Sequence, residues 1–212
     1  MATTTAPSYT HITVTPISGA LGAEISGVDL ADLDDETFGE LHQAWLDHLV
    51  VFFRDQHLTP EQQIAFGERF GELIVHPYIK SLDGYPAVVP IIKEPEDKAN
   101  FGGGWHTDVT FMERPAMASI LYSRETPAFG GDTLWANQQL AYEQLSDGMK
   151  EMLDGMIAVH SADAQYGRNS ESSKNRDKRG SMDTAVTEEA EATIEHPVVR
   201  THPETGRKGL YV

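Results

Sequence analysis

A single β-rich α+β domain is the fold class these residues predict, on three observations. Short runs of β-formers recur, separated by glycine and proline. Helix starts carry their own capping residues. No linker or internal repeat divides the 212 residues, a length that suits one substantial core. At 40% hydrophobic and 23% charged, the composition is that of an ordinary globular protein.

The elements follow in chain order. ITVTPISGALGAEISGVDL alternates apolar and polar residues between glycines and predicts short strands and turns. Asp34 or Asp35 then caps a helix whose Phe38, Leu41, Trp45 and Leu49 share one face. LVVFFR, residues 49–54, is a continuous run of β-formers and predicts a buried strand. In HLTPEQQIAFGERFGEL, Thr59 is the N-cap, Pro60 sits in the first turn, Gln62 completes a capping box and Gly71 ends the helix. Strands are predicted around WHTDVTF, AMASILYSRE and GDTLWAN. Asn137 and Ser146 each cap a further helix, the second carrying Met149, Met152, Leu153 and Met156 as core residues rather than ligands. Residues 161–195 are polar and poor in large apolar side chains, and read either as a flexible insertion or as a lid over a site. HPVVRTHPETGRKGLYV predicts strand, turn, strand around PETG.

Composition narrows the chemistry. With no cysteine there is no disulfide, iron–sulfur cluster or thiolate site, so any metal is held by His, Asp or Glu. Sixteen Lys and Arg against 33 Asp and Glu give a formal charge of −17, which repels phosphate backbones and anionic lipid. Nucleic acid and membrane are therefore not expected partners. The N-terminal segment has neither the basic nor the apolar region of a secretory signal, and no apolar run approaches the ~20 residues of a membrane span. Cytoplasm is the default compartment.

The sharpest feature is GGGWHTDVTF, residues 102–111. On a strand, positions i and i+2 face the same side, so His106 and Asp108 would converge on one point while Thr107 turns away. Two such ligands and a distant third make a two-His-one-carboxylate triad, which leaves positions open on Fe(II). By itself H-x-D is equally a hydrogen-bonded surface pair, and that alternative stays open.

WHTDVTF, PAMASILYSRE and GGDTLWAN together resemble the taurine dioxygenase/2,4-D dioxygenase family of Fe(II)- and 2-oxoglutarate-dependent oxygenases. The resemblance continues through VVFFRDQHLTPEQQIAFGERFGEL and HPVVRTHPETGRKGLYV and covers nearly the whole chain in order. It implies a double-stranded β-helix (jelly-roll) core with flanking helices. It also implies Fe(II), 2-oxoglutarate as co-substrate, O2, and a small, anionic organic substrate. Succinate and CO2 are the implied co-products. By position, His106 and Asp108 become iron ligands, and the Thr133 hydroxyl contacts a 2-oxoglutarate carboxylate. His76 falls where taurine-cleaving members place a substrate-contacting histidine. Tyr78 is one position off a tyrosine with a similar task, and Tyr166 aligns loosely with a pocket aromatic. Those members carry a substrate-binding asparagine where this chain has Gly102, which argues against taurine itself. Family members commonly associate, so a homo-oligomer is among the expectations.

Two family features have no match: the third ligand, a C-terminal histidine, and the arginine that pairs with the far carboxylate of 2-oxoglutarate. His196 and His202 belong to a block that active members carry in addition to that ligand. His160, assigned to a helix end, is expected to cap or pack, and His11, His42, His48 and His57 are surface or helix-face residues. Arg200 and Arg207 match no co-substrate arginine. A shortened record of a longer enzyme, with the C-terminal strands of the barrel missing, is the expected explanation. The alternative is a non-catalytic jelly-roll binding protein or an inactive fragment.

Overall fold

A computed structural model describes residues 9–98, 100–170, 174 and 182–212. Strands β1 (Thr13–Pro16) and β2 (Ala23–Ser26) form an antiparallel hairpin, with Thr13 opposite Ser26. Helix α1 (Asp35–His48) crosses over to β3 (Val51–Phe53), which lies parallel to β2 with Ala23 opposite Val51. Asp34 caps α1 by accepting from the Thr37 amide at 2.7 Å. Leu41 and Ala44 are fully buried under the sheet, and Phe38 and Trp45 set their ring edges against Phe70 at 5.0 and 5.6 Å. Helix α2 (Pro60–Glu68) carries the complete capping box of Thr59 and Gln62. These elements enclose one core, built on Ile12, Ile25, Leu30, Leu41, Ala44, Leu58 and Phe66.

The C-terminal elements are smaller. Helices α3 (Gln138–Glu143) and α4 (Asp147–Leu153) start at the caps Asn137 and Ser146. Strand β4 (Ile157–Ser161) pairs antiparallel with β5 (Thr193–Pro197), and β6 (Val199–Thr201) with β7 (Lys208–Leu210) about the PETG turn. Between β4 and β5 lies the one-turn helix α5 (Asp163–Tyr166). Ala162 and Tyr166, at this end of the segment, and Ala190, at its other end, are buried with Ile79 in a second cluster. The remainder of the predicted insertion, 171–173 and 175–181, lies outside the described residues.

Four expectations are corrected. The three strands predicted between 105 and 137 do not form, because no neighbouring strand runs beside that stretch among the described residues. Several of its apolar side chains stay in solvent instead: Phe129 is 90% exposed, Trp105 72% and Leu134 71%. The sheets are accordingly two- and three-stranded, and no closed barrel appears among the described residues. The β3 strand is half-buried rather than buried, with Phe52 turned to Trp135 at 5.3 Å. Met149 and Met152 on α4, and Met156 beyond its end, are exposed, since no layer covers them among the described residues. His160 lies within β4 instead of at a helix end, and is buried there.

Candidate active site

The loop 102–112 brings His106 and Asp108 together without a strand. Gly102 takes a left-handed backbone (φ 69°) next to the His106 ring, and the non-glycine Val109 does the same (φ 48°) immediately after Asp108. The result is a His106 Nε2 to Asp108 Oδ1 separation of 3.1 Å.

The surrounding hydrogen bonds define what that pair can do. His106 Nδ1 lies 2.8 Å from the Gly104 carbonyl, and a carbonyl only accepts, so Nδ1 carries a proton. In the neutral ring, Nε2 then presents a lone pair to an anionic oxygen. Two electron-pair donors that close need a cation between or beside them, either a proton on Nε2 or a metal ion. A ring nitrogen tied to backbone carbonyl is also the usual way a ligating histidine is oriented. Ser119 donates to the other oxygen of Asp108, Oδ2, at 2.8 Å, which leaves Oδ1 for the shared cation. Both side chains are about half exposed, so the site is open to solvent.

Beside the pair stands a group of four rings. Tyr78 and Tyr166 stack at 4.9 Å. Phe111 lies 5.4 Å from Tyr78 and 6.2 Å from Tyr166, and His76 is within 5.6–6.2 Å of all three. The Tyr78 amide donates to His76 Nδ1 at 3.1 Å, so the proton of the neutral imidazole sits on Nε2. Burial pushes the His76 pKa below its ordinary value, against the opposing pull of the nearby Asp108 charge. His76 is thus a neutral N–H donor close to the carboxylate. Phe111 and Ser119 were not singled out from the sequence. Phe111 could have been, as the aromatic that closes the WHTDVTF motif; nothing in the sequence marks Ser119.

Thr133 is not brought to this group. It lines an open cleft of about 850 Å³ with Phe52, Arg54, Trp135 and Leu140, and no hydrogen bond joins it to His106 or Asp108 among the described residues. Nor is there a third ligand: among the described residues no cluster of three His, Asp or Glu side chains could hold a metal. His196 is committed to the backbone carbonyls of Thr110 and Met112, and His202 Nδ1 accepts from the Glu204 and Thr205 amides. The donor set, one imidazole nitrogen and one carboxylate oxygen, therefore suits part of a non-haem iron site.

Comparison with known proteins decides the family. The model described as "Taurine catabolism dioxygenase TauD, TfdA family" matches residues 13–212. The chain belongs to the TauD/TfdA family. Within it, the chain is 39% identical over 211 residues to the alpha-ketoglutarate-dependent sulfate ester dioxygenase of Pseudomonas putida, an alignment covering 97% of this chain and 67% of the relative. It is also 39% identical over 196 residues to an alkylsulfatase of Acinetobacter baylyi, covering 92% and 60%. Among solved TauD/TfdA structures, a taurine dioxygenase from Burkholderia xenovorans superposes with a TM-score of 0.74 at 39% identity, over 95% of this chain and 63% of that one. The chain thus spans 60–67% of the length of these relatives.

Proposed function

We propose that the protein carrying this chain is an Fe(II)- and 2-oxoglutarate-dependent dioxygenase acting on a small anionic substrate, with sulfate esters the first class to test. The observation that supports it most is the His106–Asp108 pair: an imidazole nitrogen and a carboxylate oxygen 3.1 Å apart, with the other ring nitrogen tied to the Gly104 carbonyl. Sulfate esters come first because two relatives at 39% identity are named for them.

In this reading His106 Nε2 and Asp108 Oδ1 would hold the iron. Gly104 and Ser119 fix the orientation of each ligand. Among the described residues no third donor joins them. Thr133 would donate its hydroxyl to a carboxylate of the co-substrate. The bound iron and 2-oxoglutarate supply the oxidation, in which O2 is consumed, succinate and CO2 leave, and one substrate C–H becomes C–OH.

The chain's own residues bind and orient. The rings of Tyr78 and Phe111, backed by the buried Tyr166, present apolar faces to an alkyl or aryl group and exclude water from it. His76 Nε2–H donates to the anionic head group. For an alkyl sulfate hydroxylated on the ester carbon, the C–O bond to sulfate breaks as the new hydroxyl loses its proton. The products are an aldehyde and hydrogen sulfate.

The test uses the full natural protein with ferrous iron, 2-oxoglutarate and air. Succinate release is followed with hexyl sulfate, taurine and phenoxypropionate as probes. Hexyl sulfate should stimulate succinate release, and Asp108→Ala should abolish the stimulation. Release that ignores iron, or survives in Asp108→Ala, would overturn the proposal.

A further inference from the structure

We infer that His196 is a positioning residue for the substrate wall: one ring N–H holds the turn that carries Phe111. The inference rests on the function proposed above for the neighbouring rings. His196 sits on β5, 6% exposed, with Nε2 2.9 Å from the Thr110 carbonyl and 3.1 Å from the Met112 carbonyl. Neither partner can donate, so Nε2 carries the proton and shares it between the two oxygens. Those oxygens flank Phe111 in sequence. The contact therefore grips the backbone on both sides of Phe111, whose ring meets His76, Tyr78 and Tyr166.

The loop needs holding. Val109 is β-branched and sits at φ 48°, a conformation that costs on the order of 1–3 kcal/mol and persists only where the surroundings impose it. Within the loop itself the Met112 amide donates back to the Val109 carbonyl at 3.0 Å. His196 supplies the long-range brace, from a strand more than eighty residues away.

The brace is itself fixed. The His160 ring meets His196 edge-on at 5.2 Å, and Tyr211 meets it at 5.4 Å and 90°. Tyr211 in turn lies under the Arg200 guanidinium, 4.5 Å from its ring centre. The imidazole thus has neighbours that prevent it from swinging away from the turn.

Two substitutions test this. His196→Phe keeps a ring and removes the donor, while His196→Gln returns an N–H at similar reach. On the 212-residue chain, exchange of the Met112 amide proton, read by NMR, should be about tenfold faster in the Phe variant and near wild type in the Gln variant. The buried Leu41 amide serves as the control for global folding. In the full enzyme, the KM for hexyl sulfate should rise about tenfold in His196→Phe and recover in His196→Gln, while the KM for 2-oxoglutarate and the affinity for Mn(II) hold steady. Unchanged Met112 exchange in the Phe variant, no recovery in Gln, or a parallel rise of both KM values would overturn the inference. If the Phe variant also loses Leu41 protection, the Gln variant decides: wild-type exchange at Met112 upholds the brace and fast exchange refutes it. A wild-type enzyme without 2-oxoglutarate turnover would remove the proposed function, and the exchange result would still decide the brace.

Discussion

Replacing Tyr166 with alanine tests whether the ring group beside Asp108 is a packed unit or a chance gathering. Tyr166 is 4% exposed and meets three rings, at 4.9, 5.6 and 6.2 Å. Truncating a large buried aromatic costs about 3–5 kcal/mol, and aromatic pairs contribute about 0.5–1.5 kcal/mol each beyond their area. Because one side of the group faces the open site, the lower end applies, about 3 kcal/mol. In a chain of this size that corresponds to a fall in Tm of roughly 6–12 °C. Urea unfolding followed by near-UV and far-UV circular dichroism measures the loss. A cycle with Tyr78→Ala isolates the stacked pair, whose coupling should be about 1 kcal/mol. A loss below about 1 kcal/mol, or no coupling to Tyr78, would show that these rings do not pack as described.

Asp108→Ala should leave stability within about 0.5 kcal/mol, as the side chain is half exposed, yet remove Mn(II) binding by the full enzyme in a calorimetric titration. Gly167→Ala should destabilise the α5 corner by about 1–3 kcal/mol, because a Cβ there would stand 2.7 Å from the Asp163 carbonyl oxygen; urea midpoints of the two chains check it. Acid should weaken the fold. The His160 pKa lies below its ordinary 6.5, through burial first and the neighbouring His196 second, and the His76 pKa is lowered mainly by burial. The unfolded chain therefore takes up those protons first, so stability is complete above about pH 6.5 and declines as pH falls through the folded-state values. Urea midpoints measured from pH 8 to 5 should fall on the acid side, less steeply in His160→Gln.

What could be read in the sequence was what is decided locally. Asp34, Thr59, Asn137 and Ser146 each cap the helix predicted for them, because an N-cap hydrogen bond reaches only three residues along the chain. The PETG turn is equally local. The strands predicted between 105 and 137 required a partner strand, and the β propensity of SILYS or TLWAN cannot supply one. The methionines of α4 have the spacing of a buried face, but burial also needs a layer to bury against. At the site, convergence of His106 and Asp108 was legible from H-x-D, although a turn achieves it rather than the expected strand. The meeting of Tyr166 with His76 and Tyr78 depends on the path of nearly ninety intervening residues, and only the family resemblance hinted at it.

The two clusters also differ in how much chain each must gather. The buried members of the first fall within residues 12–66, whereas those of the second run from Ile79 to Ala190. Closing long loops is entropically costly and slow, so during synthesis the α1 layer can consolidate while the ring cluster must await residues 162–190. Under mild denaturant the sequence of events should run backwards. The ring cluster would open while most of the α1 layer persists, so the segment around Tyr78 and Tyr166 would yield first.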